Sequence, residues 1–176
     1  MPNLTQKERS LLEDQKKQEA LCIKKYQSYA NQAQDPQLSQ LFASHAQQEQ
    51  QHLDSINQLL NGQIPSAGGQ QNQQSNQNAQ QSGMQQSSMQ QGGMQQSTGQ
   101  NAAFPPLQSG GSSPQNDADL CEDLLSTEKY VSSAYNTAIF EFRDPAIRQE
   151  LNHIQKEEQQ HGKLIYDYMK INGMYS

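Results

Sequence analysis

Glu49-Gln50-Gln51-His52 returns letter for letter as Glu158-Gln159-Gln160-His161, and thirty residues before the Glu of each copy stands a further carboxylate, Glu19 or Glu128. Residues three apart on an α-helix project from one face about one turn apart, so the Glu and His of each motif can reach a common ion. In the di-iron and di-manganese carboxylate bundles, two helices each give one inward Glu and the other two each give Glu-x-x-His. The candidate metal ligands are therefore Glu19, Glu49, His52, Glu128, Glu158 and His161. An oxygen-rich set with imidazole and no thiolate suits iron or manganese better than copper(I) or a structural zinc. Two such ions would neutralise four inward carboxylates whose desolvation would otherwise cost several kcal/mol. The competing reading is a polar layer in which Glu–His hydrogen bonds set helix register.

The elements that must position these residues are helical. Thr5-Gln6-Lys7-Glu8 reads as a capping box opening a helix that runs to about Ala30. Along it Leu12, Gln15, Glu19, Cys22 and Tyr26 recur at intervals of three and four, which places Glu19 on the inward stripe. Asp35-Pro36 starts the next helix, with Asp as N-cap and Pro at the first helical position. Its inward stripe is Leu38, Leu41, Phe42, His45, Glu49, His52, Ile56, Leu59 and Leu60, and Gly62 follows as a stop. With a turn near residue 33, Glu19 lies roughly 21 Å down one helix and Glu49 and His52 roughly 24 to 28 Å down the other, so the levels match.

The hairpin recurs without a gap at an offset of 109 residues: Tyr26, Asp35, Pro36 and Ile56 become Tyr135, Asp144, Pro145 and Ile165. The third helix buries Leu120, Leu124, Val131, Tyr135 and Phe142 around Glu128. The fourth buries Ile147, Leu151, Ile154, Ile165 and Tyr168 around Glu158 and His161, and Gly173 ends it. Each hairpin offers one apolar seam, and pairing the two gives an all-α, four-helix bundle with one long crossover. The expected division is an N-terminal hairpin over 1–61, a Gln/Ser/Gly-rich linker over 62–116 and a C-terminal hairpin over 117–176.

The linker carries no Asp, Glu, Lys or Arg and has a five-residue beat at Met84, Met89 and Met94. Such a composition buries too little apolar surface to offset chain entropy, so disorder is expected. About 55 residues of flexible coil span roughly 40 Å, enough to carry the chain from one end of a bundle to the other. A linker this long equally permits hairpins to be exchanged between two chains, giving a homodimer.

Composition excludes other classes. Hydrophobic residues make up 32% and net charge is −6, with no Lys/Arg block to track a phosphate backbone, so nucleic acid is not an expected partner. No stretch approaches the roughly 20 apolar residues of a membrane span. The N-terminus lacks the apolar run of a signal peptide. Cys22 and Cys121 are isolated and fall on inward stripes, where a free Cys behaves as a small hydrophobe. Tyr26 and Tyr135 follow Glu19 and Glu128 by two turns and are read as packed rings standing behind the ligands, each hydroxyl tied to a polar neighbour. His45 is read as a satisfied inner histidine and His153 as a surface one.

Asp123-Leu124-Leu125-Ser126-Thr127-Glu128-Lys129-Tyr130, Ser133-Ala134-Tyr135-Asn136-Thr137-Ala138, Asp144-Pro145, Arg148-Gln149 and Asn172-Gly173-Met174-Tyr175 resemble the spore coat protein F family of endospore-forming bacteria, placed in the ferritin-like superfamily. The N-terminal hairpin looks like a diverged copy of the same unit. The resemblance implies a structural component of the spore coat, made in the mother-cell cytoplasm, with other coat proteins as partners and no established catalytic activity. The duplicated ligand set adds the alternative of a di-iron or di-manganese oxidoreductase that removes peroxide or oxidises iron(II). The chain lacks the CxxC electron-transfer module of rubrerythrin-type peroxidases, so reducing equivalents would come from outside.

Overall fold

The computed structural model describes residues 3–65 and 115–175. Nearly all of them lie in four α-helices, α1 (Gln6–Gln32), α2 (Pro36–Leu60), α3 (Gln115–Glu141) and α4 (Pro145–Ile171), and no strand occurs among the described residues. The all-α, four-helix expectation holds.

The starts are written into the local sequence. Thr5 accepts from the Glu8 N–H at 3.2 Å while the Thr5 N–H donates to Glu8 Oε2 at 2.7 Å, a complete capping box. Asp35 and Asp144 accept from the N–H groups of Gln37 and Ala146, each at 2.8 Å, with Pro36 and Pro145 at the first helical positions. The ends are equally local. Gly62 and Gly173 take φ of 75° and 69°, and the N–H of the following residue reaches back to Gln58 or Met169, at 2.9 and 2.8 Å. This is the Schellman closure that only a residue tolerant of positive φ allows cheaply.

The apolar stripes face one another. Leu12, Phe42, Leu124, Leu151, Ile154 and Ile165, drawn from all four helices, sit in a single buried cluster. Leu60 is only partly buried, and Phe142 is buried although it lies one residue beyond the end of α3. α1 packs on α2 and α3 on α4 as two hairpins, and α1 also packs on α3 and α2 on α4. All four helices fall within one compact unit.

α3 begins at Gln115, two residues ahead of the expected start of the C-terminal hairpin. Of the expected Gln-rich linker, residues 66–114 lie outside the described residues. The first turn of α3 does more than begin a helix. Asp117 accepts from the N–H groups of Gln34 and Asp35 at 2.9 Å each, so a residue of the second hairpin closes the loop of the first.

Candidate metal centre

Glu19, on α1, and Glu128, on α3, are placed at mid-helix by the stripes that bury Leu12 and Tyr26 on one side and Leu124 and Tyr135 on the other. Glu49 with His52 on α2, and Glu158 with His161 on α4, sit one turn apart on their buried faces. All six side chains are essentially removed from solvent, and the structure brings all six together.

They form two overlapping groups. Glu19, Glu49, His52 and Glu158 present ligand atoms that all lie within 4.8 Å of one another, and so do Glu49, Glu128, Glu158 and His161. Glu49 and Glu158 belong to both, which is the relation two bridging carboxylates would have to two ions. Glu19 and Glu128 each belong to one, as terminal ligands would.

The histidines show what the centre wants. His52 Nε2 lies 2.9 Å from Glu157 Oε2, and His161 Nε2 lies 3.0 Å from Gln48 Oε1. Both partners are acceptors, so each Nε2 carries a hydrogen and each Nδ1 is the atom that takes a further proton or a metal ion. His52 Nδ1 is 2.9 Å from Glu158 Oε1, and His161 Nδ1 is 2.9 Å from Glu49 Oε1. A lone pair facing a carboxylate oxygen at that distance requires a cation between them, either a proton or a metal. Beyond these two close pairs, Glu19 Oε2, Glu49 Oε2, Glu128 Oε2 and Glu158 Oε2 are buried without a hydrogen-bond partner. Buried polar atoms are almost always paired. Four unpaired carboxylate oxygens beside two close His–Glu pairs fit a pair of hard divalent ions held by oxygen and imidazole nitrogen.

The remaining oxygen of each terminal carboxylate is held from the opposite hairpin. The Tyr26 hydroxyl donates to Glu128 Oε1, and the Tyr135 hydroxyl donates to Glu19 Oε1. Each tyrosine thus serves the ligand of the other repeat, a pairing that position along its own helix does not reveal.

The C-terminal hairpin, with its Asp144-Pro145 turn and its half of the ligand set, is also where the chain resembles known proteins. Residues 116–176 match the Coat F domain. The family resemblance carried by the sequence is borne out over that hairpin. A curated relative, the uncharacterized protein YusN of Bacillus subtilis (strain 168), is 40% identical over 65 residues, 37% of this chain and 59% of that protein. The matched stretch therefore spans less than two thirds of the relative's length. No solved structure matches the chain.

Electrostatics within the centre follow from burial. Desolvation pushes Glu19 up to about 7, opposed by His52 and assisted by Glu49. In the C-terminal hairpin, desolvation likewise takes Glu158 to about 7 against the pull of His52, and carries Glu128 well above the carboxylate range with the repulsion of Glu158. Burial lowers His161 to about 4, outweighing the attraction of Glu128. Burial would lower His52 too, but Glu157, Glu158, Glu19 and Glu49 together hold it well above its ordinary value. Tyr26 and Tyr135 are raised far above the phenol range by burial and the nearby carboxylates, so both stay neutral donors. A cation taken up among these groups would have to displace the protons that burial favours on the carboxylates.

Three neighbours complete the picture. His45 is fully buried, as its stripe position predicts, but neither ring nitrogen has a partner, which corrects the expectation of a satisfied histidine. It stacks on His161 at 4.3 Å and meets the edge of Tyr26 at 5.2 Å. Cys22 and Cys121 are free and buried, and burial raises both thiols, Cys121 to about 12, so neither is reactive. His153 is exposed, 3.5 Å from Glu157. Gln48 and Glu157 were not evident as functional residues. Their only signal in the sequence is that each stands four residues before a histidine and directly before the motif Glu.

Proposed function

We propose that this chain is a structural component of the bacterial endospore coat whose ferritin-like four-helix bundle holds two iron or manganese ions. The coat assignment is supported by the Coat F match over α3 and α4. The metal assignment is carried by one observation: Glu and His ligand atoms from all four helices converge in two buried groups that share Glu49 and Glu158, with Glu19 Oε2, Glu49 Oε2, Glu128 Oε2 and Glu158 Oε2 lacking any hydrogen-bond partner. A polar layer kept only for register would pair all of its atoms, whereas here His161 meets Glu49 and His52 meets Glu158 but four carboxylate oxygens are left over. Other coat proteins, and a homodimer formed by exchange of hairpins, are the partners this reading supplies. No described helix is long and apolar enough to cross a membrane.

Elemental analysis of protein purified without chelators tests the metal reading. About two iron or manganese ions per chain, lost on the double change Glu49→Ala, Glu158→Ala, is the expected result. A protein that stays empty after anaerobic loading overturns it. A fluorescent fusion that stays in the mother cell and never reaches the forespore surface overturns the coat reading.

One feature favours the alternative of a di-metal oxidoreductase acting on peroxide or iron(II). Each group supplies four residues, whereas iron(II) and manganese(II) in oxygen-rich sites favour about six ligand atoms. Positions would remain for water or a small substrate. Bound there, the ions would supply redox and Lewis-acid chemistry; Tyr26 and Tyr135 would hold the terminal carboxylates, and the apolar core would exclude bulk water. Peroxide loss or iron(II) oxidation measured with the loaded protein separates a reactive centre from a structural one.

A further inference from the structure

The offset that relates the two hairpins maps every candidate ligand onto a ligand of the same type: Glu19 onto Glu128, Glu49 onto Glu158 and His52 onto His161. It does not map their supporting residues alike. Position 48 in the first hairpin is Gln, and its counterpart, position 157, is Glu. Position 45 is His, and its counterpart, position 154, is Ile.

The structure turns both differences on the same side of the centre. Because each supporting residue reaches across to the opposite hairpin, Glu157 holds His52 and Gln48 holds His161. The group built on Glu19 and His52 is thus backed by a carboxylate, and the group built on Glu128 and His161 by a neutral amide. His45 stacks on His161, the amide-backed histidine, with both nitrogens unpartnered. Ile154 occupies the equivalent place in the other half, buried in the apolar core.

A carboxylate accepting the distal N–H of a metal-ligating imidazole increases the electron density at the ligating nitrogen and adds negative charge to the site. An amide oxygen does the first weakly and the second not at all. Building on the two-metal reading above, we propose that the two ion positions are inequivalent. The position formed by Glu19, Glu49, His52 and Glu158 and backed by Glu157 fills first and retains its ion. The position formed by Glu49, Glu128, Glu158 and His161 and backed by Gln48 fills second, exchanges, and has His45 beside it to hydrogen-bond a small oxygen ligand.

The ordering has an electrostatic reason beyond the single hydrogen bond. Glu49 and Glu158 are shared, so the first ion neutralises charge that the second would also have used. Whichever position is intrinsically tighter therefore takes the first ion, and the difference between the two steps is widened. Glu157 is partly exposed, so solvent can support its charge while it accepts the Nε2–H of His52.

Isothermal titration of the metal-free full chain with manganese(II) tests this without reference to activity. Wild type should bind two ions in separate steps. Glu128→Gln, which removes a ligand of the second position only, should keep one ion at the first-step affinity. Glu19→Gln should keep one ion at an affinity below the wild-type first step but above the wild-type second step, because no first ion then neutralises the shared Glu49 and Glu158. Glu157→Gln should weaken the first step by about 10- to 100-fold and draw the two steps together, and Gln48→Glu should strengthen the second. Equal affinities in Glu19→Gln and Glu128→Gln, with Glu157→Gln unchanged, would overturn the inequivalence while leaving the two-metal reading intact. A wild-type chain that binds no ion would overturn both. Thermal melts of each metal-free variant, which should stay cooperative because Glu→Gln keeps side-chain shape, separate lost binding from lost folding.

Discussion

Glu8, in the first turn of α1, accepts a hydrogen bond from the backbone N–H of Arg143, 135 residues away, at 3.0 Å. Its repeat counterpart Asp117 does the same for Gln34, the counterpart of Arg143. The start of each hairpin therefore fastens the turn of the other, and the two ties are related by the duplication. Glu8 is buried, which would raise its carboxyl group, but the N–H groups of Arg143 and Thr5 outweigh burial and hold it at about 2. A lowered carboxyl stabilises the fold above its unfolded value and loses that contribution as pH falls through about 4 toward 2.

Glu8→Ala removes the capping-box acceptor and leaves the Arg143 N–H in the turn of the second hairpin without its partner. Loss of a cap costs about 1 kcal/mol, and loss of a charged acceptor about 1.5 to 3. Destabilisation of about 3 kcal/mol is expected in urea unfolding, with no change in metal stoichiometry if the bundle is kept folded. A variant as stable as wild type would show that the tie contributes nothing.

Tyr26→Phe and Tyr135→Phe each remove the one hydroxyl held by a terminal carboxylate. The oxygen left behind is buried with no other donor, a loss of about 1 to 3 kcal/mol in the metal-free protein. The terminal glutamate also loses its fixed orientation, so the ion at that position should bind more weakly, Tyr26→Phe affecting the Glu128 position and Tyr135→Phe the Glu19 position. Titration of the two variants side by side checks the crossed assignment. If each instead weakened the position of its own hairpin, the pairing across the bundle would be wrong.

Metal-free and metal-loaded protein should respond to pH in opposite directions. Glu19 and Glu158 sit near 7 in the folded chain, Glu128 lies well above its ordinary value, and so does His52. A raised group contributes stability that is full below its unfolded value and is lost as pH rises through the folded one. His161 and His45 are lowered, mainly by burial, and oppose this only below about 6.5, where an unfolded histidine takes up a proton. The metal-free melting temperature should therefore fall as pH rises above about 6.5 and through the value of about 7 at which Glu19 and Glu158 give up their protons. Metal replaces the protons, so its stabilisation should grow over the same range. Melts in chelator and in excess manganese(II) on both sides of that range test this; a melting temperature in chelator that rises with pH would count against protons held on these carboxylates.

Why the ligands were legible and their supports were not is a matter of range. Glu19, Glu49, His52 and their copies are fixed by helical periodicity and by repetition, both local properties of the string. The caps at Thr5, Asp35 and Asp144 and the glycine stops are local too. Gln48 with His161, Glu157 with His52, and Tyr26 with Glu128 depend on how one hairpin is rotated against the other, which no single helix encodes. Duplication held the missing clue: Glu8 and Asp117 are both acidic at the shared offset, and Gln48 and Glu157 flank identical motifs. His45 was placed correctly on its stripe, but its lack of partners depends on rings contributed by α1 and α4.

Two glycines separate the effects of space and backbone conformation. A Cβ added at Gly162, the residue after His161, would meet Glu128 Cβ at 3.5 Å and Leu125 Cδ1 at 3.6 Å, ordinary contact between α4 and α3. Gly162 lies in a helix interior, where Ala is better by about 0.5 to 1 kcal/mol, so Gly162→Ala should stabilise by up to that amount and keep the metal stoichiometry. A Cβ at Gly173 would meet nothing within 4 Å, yet its φ is +69°. Gly173→Ala should therefore destabilise by about 1 kcal/mol through the left-handed backbone alone. Thermal melts of the pair decide it: if the crowded position were the costly one, close approach of α4 to α3 beside His161, and not the helix stop, would be the tighter constraint on the fold.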